Sequence, residues 1–247
     1  MKAFSTILLV LVAVSLTAQV EVSNGGWSVA TGRVKGNGEL VTQSRDLEGF
    51  TGISTCCSFE IKLAEGPYEV RIEAESNLLA FIKTEVQHQV LQVGFTKRAN
   101  FKSQKPIKVY VSLPNLKTVV ASSSSKVTGT TSFTGTDLRL DVSSAATIDL
   151  AFNGDHIDLK ASTTGRIDVA GSAGSVSAAA SSGSRIQAAD LRANEVDADV
   201  RTTAKMFLFV EQQLRADASS SGSIVYSGSP GNVQVNTGSN GRVRPAK

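Results

Sequence analysis

"LKASTTGRIDVAG", residues 159–171, decides how the chain is read. Its centre, Ser162-Thr163-Thr164-Gly165, has the composition of a flexible linker. Its flanks, Leu159-Lys160-Ala161 and Arg166-Ile167-Asp168-Val169, alternate apolar and polar residues, as strands with one buried face do. A Gly/Ser tether has no reason to carry an apolar period on both sides. The stretch therefore reads as strand, turn, strand, with Leu159, Ala161, Ile167 and Val169 facing inward.

The pattern recurs through the second half of the chain. Starting points at Lys117, Leu138, Ile157, Val176, Val196, Leu214 and Val233 give seven units spaced by 18 to 21 residues. Each holds a short alternating strand, a tip of small residues and a second alternating strand. A fixed period of this length means a solenoid or another stacked array. Aligned units give apolar columns: Val119, Leu140, Leu159, Ala178, Ala198, Ala216 and Val235 before the tip, and Val127, Ile148, Ile167, Ile186, Met206, Ile224 and Val243 after it. Stacking such positions about 4.8 Å apart buries each column against itself. The abundance of alanine in the column Ala121, Val142, Ala161, Ala180, Val200 and Ala218 points to a thin core. The tips, from "SSSS" to "GSNG", are turns, with glycine suited to the positive φ that a sharp reversal needs. The fold class is all-β: a parallel β-helix or solenoid-like stack of ~19-residue rungs. A β-sandwich with irregular repeats is the competing architecture.

The first half is also β-type. Phe59–Leu63, Val70–Ala74, Leu91–Val93 and Ile107–Val111 alternate, and only Glu75–Ile82 suggests a helical turn. Met1-Lys2 followed by the apolar run Ile7–Leu16 reads as a signal peptide over residues 1–18, cleaved after Ala18. That run falls short of the roughly 20 apolar residues that span a bilayer. Residues 19–44 form a polar segment, 45–115 an N-terminal β region and 116–247 the repeat region of the same domain. The expected product is exported to the periplasm, the outer-membrane surface or the medium, with no transmembrane segment.

Composition narrows the function classes. Among 247 residues, two histidines leave little room for histidine catalysis or metal binding, and aromatic residues make up only 6%. A formal net charge of +3 gives no case for a nucleic-acid partner. No cofactor and no metal site is expected, and no catalytic residue is assigned. No Gly-x-Ser-x-Gly elbow precedes a helix.

Several ordered segments resemble the bacterial head GIN domain family of auto-transporter adhesins. They are Gly36-Asn37-Gly38, "RDLEGFTGI" (45–53), "VRIEAESNLL" (70–79) and "IKVYVSLPNLKTVVASSSSKV" (107–127), followed by the small-residue tips. The resemblance covers roughly residues 33–240. It implies a right-handed β-helical architecture, pectin-lyase-like in shape but without that class's catalytic residues. It also implies cell-surface adhesion in the envelope of Bacteroidetes-type bacteria. This sequence departs from the family pattern in two places. Where family tips often carry an aspartate, it has Lys126, Thr147, Arg166, Arg185, Lys205, Ser223 and Arg242; and Cys56-Cys57 stands where relatives have small residues.

Those post-tip residues are the candidate site. Lys126, Arg166, Arg185, Lys205 and Arg242 share one position of the repeat, so Arg166, Arg185 and Lys205 should form a stripe about 10 Å long. Such a stripe suits an acidic glycan, lipopolysaccharide phosphate or another polyanion. The alternative is a solvated edge compensated by Asp168, Asp197, Asp199 and Asp217. Candidate carboxylates for a glycan-processing enzyme are Asp137, Asp141, Asp149, Asp155, Asp158, Asp168, Asp197 and Asp199, with Asp149 and Asp168 sharing a column. Outward aspartates also serve as ordinary edge protection. His88 and His156 read as surface residues. For Cys56 and Cys57, a strand continuing from Ile53 would bury one and expose the other, since a bond between neighbours is strained; a covalent dimer through Cys56 is the alternative. The expected function is binding of a polysaccharide or cell-surface ligand, with glycan processing or a passive envelope role as alternatives. A homo-oligomer is left open.

Overall fold

The computed structural model describes residues 34–96 and 101–246. The signal peptide expected over residues 1–18, and residues 19–33 of the polar segment, lie outside them. The strands in chain order are β1 (Val34–Lys35), β2 (Leu40–Arg45), β3 (Gly52–Thr55), β4 (Glu60–Glu65) and β5 (Glu69–Glu75). A 3-10 turn, Leu79–Phe81, precedes β6 (Ile82–Gln87), β7 (Val90–Phe95), β8 (Phe101–Lys102) and β9 (Lys108–Leu113). The repeat region is β10 (Thr118–Ala121), β11 (Lys126–Val142), β12 (Thr147–Ala161), β13 (Arg166–Ala180) and β14 (Arg185–Val200). It ends with β15 (Lys205–Ala218), β16 (Ser223–Gly228), β17 (Asn232–Thr237) and β18 (Arg242–Pro245).

From β10 onward every pairing is parallel, each strand bonding its counterpart one unit on, and the whole is a β-solenoid of about seven turns. The two short strands read in each repeat are joined differently from the expectation. The strand leaving one tip runs on as the strand entering the next, giving single strands of 14 to 17 residues in β11–β15. The unequal unit lengths are absorbed far from the tips. Register shifts fall between Thr128 and Ser132, Asp168 and Ala170, Ala188 and Arg192, and Ala193 and Glu195, where one strand carries residues its neighbour lacks. The tips themselves stay in register because nothing is inserted there.

Each tip is a four-residue turn with both central residues at positive φ, as at Ser123-Ser124, Ser144-Ala145, Thr163-Thr164 and Thr202-Thr203. The turn closes through bonds such as Gly165 N–H to Ser162 O at 2.8 Å. Two positive φ values define the type I′ geometry. Glycine takes such φ values without strain, yet among the paired central positions of the tips only Gly183 is glycine. Serine, threonine and alanine there give up roughly 1 kcal/mol each relative to ordinary backbone. Neighbouring rungs offset this. Ser124 N–H donates to Ser144 O, Ala145 to Thr163 O, Thr164 to Ser182 O and Thr203 to Ser220 O, each at 3.0 to 3.1 Å. An eighth tip, Cys56–Phe59, lies beneath the seven, with Ser58 N–H donating to Ser123 O. So β3, this tip and β4 form a rung of their own, paired in parallel with β10 and β11.

The inward columns are buried as the alternation requires: Leu159 and Ile167 are 0% exposed, Ala161 and Val169 4%. Alanines keep the coil narrow next to the tips, but the far corner is wide enough for Phe133 and Phe152, both fully buried. In β17, Val233 and Val235 are 40% and 49% exposed. At the other end, β5 joins β2 and β9 antiparallel, and the β6–β7 hairpin pairs with β3. Fully buried Glu75 pins this end. Its carboxylate accepts from Gly38 N–H at 2.7 Å, Ser103 Oγ at 2.6 Å and Gln104 N–H at 2.9 Å. A Cβ on Gly36 would lie 2.1 Å from that carboxylate, which explains the first glycine of Gly36-Asn37-Gly38.

Candidate ligand-binding face

The first residue after each tip points outward, because the next residue in every case (Val127, Ile148, Ile167, Ile186, Met206, Ile224, Val243) faces the core. The ladder pairs Lys126 with Thr147, Thr147 with Arg166, Arg166 with Arg185, Arg185 with Lys205, Lys205 with Ser223 and Ser223 with Arg242. The expected column therefore exists, in continuous register.

Its members differ in what they touch. Arg166 is clamped by Asp168, two residues along its own strand, through Nε at 2.6 Å and Nη2 at 2.7 Å. That hydrogen-bonded pairing raises the arginine's pKa, and nearby Asp149 adds to the effect. Arg185 lies over the Phe207 ring with its guanidinium carbon 5.8 Å from the centroid. Lys126, Lys205 and Arg242 have no ion-pair partner among the described residues. The adjacent outward column explains the split: Thr128, Asp149, Asp168, Gln187, Phe207, Val225 and Arg244 follow one another across the rungs. Asp149 and Asp168 neutralise the N-terminal half. In the C-terminal half the column holds no acid and adds Phe207 and Arg244. Arg192 lies over Phe209 at 5.3 Å and contacts Glu211 at 3.6 Å.

Phe207 and Arg244 were not among the residues expected on this face, because they stand at the third post-tip position and not at the first. Reading the third post-tip position alongside the first would have found both. The other expected counter-ions sit elsewhere. Asp199 pairs with Arg201, which raises that arginine's pKa, and Asp217 pairs with Arg215 at 3.8 Å, in the strand segments flanking the tips.

Four of the eight candidate carboxylates, Asp141, Asp158, Asp168 and Asp199, are ion-paired with basic neighbours. Asp158 contacts Lys160 at 3.2 Å and Arg139 at 3.9 Å, Asp141 contacts Arg139 at 3.5 Å, and Asp168 is held by Arg166. Asp149 and Asp168 do stand directly opposite one another, and Asp158 and Asp197 flank Ser177. His156 Nδ1 meets Ser175 Oγ at 2.9 Å on the next rung, and His88 takes a central position of the β6–β7 turn. Among the described residues, no three His, Cys, Asp or Glu side chains are placed to hold a metal ion, and no helix is long and apolar enough to cross a membrane.

The cysteines depart from expectation. Cys56 and Cys57 are joined in a disulfide, one half-buried and the other exposed. The expected alternation assumed a strand continuing from Ile53. Instead the chain reverses at Cys57, with φ of 63°, so the two residues become the first and second of the tip. With both sulfurs bonded to each other, no free cysteine is left among the described residues to link two chains.

The described residues thus form a β-solenoid with an outward ladder of charged and small polar side chains. The chain belongs to the family described as "Putative auto-transporter adhesin, head GIN domain", whose model matches residues 49–230. No curated protein matches it. Its fold is similar to that of a Bacteroides fragilis protein described as a putative adhesin, with a TM-score of 0.82 at 18% identity, covering 86% of this chain and 100% of that one. A putative adhesin from Parabacteroides merdae has a TM-score of 0.72 at 22% identity, covering 87% and 99%. A putative lipid binding protein from Parabacteroides distasonis has 0.67 at 18%, covering 87% and 100%.

Proposed function

We propose that this protein is an exported, non-catalytic adhesin that binds a repetitive anionic glycan or envelope ligand on the outward face of its solenoid. The observation that carries this reading is the acid-free half of the post-tip face. Arg185 and Lys205 stand on adjacent strands of one column with Arg242 beyond Ser223, and Phe207 and Arg244 stand on either side of Val225 in the next. Cations at rung spacing meet the carboxylates, sulfates or phosphates of a polymer, while Phe207 offers an apolar face to its uncharged parts. Each contact is weak because it is exposed, and repetition along the polymer raises the avidity. Lys126 and Arg166 belong to the same column but lie in the half neutralised by Asp149 and Asp168. The family's description and the fold shared with proteins described as adhesins support the reading.

The commitment of Asp168 to Arg166 favours binding over glycan hydrolysis, because a general acid or nucleophile must be free to exchange its proton or attack. The test is retention of the purified protein on immobilised acidic polysaccharide beside a neutral polymer of the same backbone. Retention on the acidic matrix alone, lost between about 0.1 and 1 M salt as the screening length shrinks from ~10 to ~3 Å, is the expected result. Equal retention on both matrices would sink the proposal.

A further inference from the structure

Strand β17 has one edge that the rest of the fold does not use. It pairs with β15 in parallel from Asn232 to Thr237, and among the described residues its other edge bonds no strand. Val233, Val235 and Thr237 continue the inward columns of Leu214, Ala216 and Ala218, all of which are buried. In β17 the same positions are exposed, and so is every residue of the strand. Two valines thus stand at core positions without the cover that each earlier rung receives.

Edge strands are usually guarded against pairing by a charge, a proline or a bulge. Strand β18, which returns from the same tip, has Arg242, Arg244 and Pro245, and β6, at the other end of the sheet, has Lys83 and Glu85. Strand β17 has none of these: "NVQVNT" holds no charge and no proline, and its ladder with β15 runs without a shift.

The strand is also complementary to itself. Residues 232–236 read Asn-Val-Gln-Val-Asn, the same in both directions. Two such strands, antiparallel and centred on Gln234, set Val233 of each copy opposite Val235 of the other, and Asn232 opposite Asn236. Opposed residues of an antiparallel pair share a face, so valine meets valine on the inner side and amide meets amide on the outer side. An amide side chain carries donors and an acceptor, so it can bond its own kind. With no charge in the strand, no like charges are brought together. Centring the pair on Val233 instead would set Val235 opposite Gly231 and lose both contacts between Val233 and Val235, which favours the Gln234 register.

We propose that β17 is a dimerisation edge, and that its partner is β17 of a second copy of this chain, paired antiparallel about a two-fold axis at Gln234. The two solenoid sheets become continuous across the seam. The strand is separate from the post-tip face, and the proposal does not depend on the polyanion reading.

The experiment is sedimentation velocity of the purified protein across a concentration series. One strand per copy makes a seam smaller than the ~1,200 Å² of a stable interface, so the dimer should be a weak one, half-formed at roughly tens of micromolar. Val235→Lys, at an exposed position, should weaken it at least tenfold with the far-ultraviolet circular dichroism of the wild type. The register has its own test under mild oxidation. Gln234→Cys should cross-link two chains, because its side chain meets its own copy with Cβ atoms about 4.5 to 5.5 Å apart. Asn232→Cys, which faces Asn236 of the second copy, should cross-link far less. A protein that stays monomeric up to several hundred micromolar, a dimer unchanged by Val235→Lys, or equal cross-linking of the two cysteine variants would each overturn the proposal.

Discussion

Glu75 shows what one buried side chain does for the end of a solenoid. Burial alone would raise its pKa, but the hydrogen bonds from Ser103 Oγ and the backbone amides of Gln104 and Gly38 outweigh burial and hold it below the usual carboxylate value. A carboxylate whose folded pKa is depressed stabilises the fold above its unfolded pKa and loses that contribution as pH falls through the folded value. The native chain should therefore lose stability below about pH 4, the ordinary glutamate range. Glu75→Gln should cost about 1 to 3 kcal/mol at neutral pH, because an amide group then faces donors. It should also flatten the acid limb of a urea-denaturation series. An unchanged acid limb would remove Glu75 from this role. Little of this was legible beforehand. Glu75 sits in "VRIEAESNLL" as one acid among several, and its partners lie 37 residues before it and 28 and 29 residues after it. The strand Leu40–Arg45 was likewise hidden, since "LVTQSR" carries only two apolar residues and only Val41 and Arg45 are half-buried.

At the scale of the element, the tip governs the stack. Its two left-handed residues are strained unless glycine, yet the ladder of amide-to-carbonyl bonds between successive tips holds them. Ala145, exposed at φ 61°, tests this with little side chain to confuse the result. Ala145→Gly should stabilise the chain by up to ~1 kcal/mol, the relief of left-handed backbone exceeding the entropy glycine adds to the unfolded state. Ala121→Gly, in a strand and fully buried, should destabilise it by about 1 kcal/mol. Equilibrium unfolding in guanidinium measures both, and a destabilising Ala145→Gly would contradict the assignment of strain. The tips and the inward columns were readable from the sequence because a residue's place in the repeat decides its surroundings. The long continuous strands were not, since a solenoid corner bends without breaking its ladder. Nor was the Cys56–Cys57 rung, which departs from the small-residue tips that define the period. For the candidate face the column and its compensation by Asp168 were legible, but not that the acids of the adjacent column, Asp149 and Asp168, are confined to its N-terminal half.

For the whole molecule, the solenoid converts a repeated sequence position into a spatial row, and the neighbouring row decides how the first behaves. The N-terminal half of the post-tip face is electrically balanced, while the C-terminal half is cationic and carries Phe207. Mere presence of basic residues in register is thus a weaker predictor than their freedom from carboxylates. The most direct measurement compares two variants for affinity to a soluble acidic polysaccharide at low salt. Lys205→Ala combined with Arg242→Ala removes unpaired cations and should weaken binding at least tenfold. Arg166→Ala removes a cation already held by Asp168 and should change affinity less than twofold. Equal losses from the two, or affinity untouched by removing Lys205 and Arg242, would contradict the assignment of the ligand-binding face.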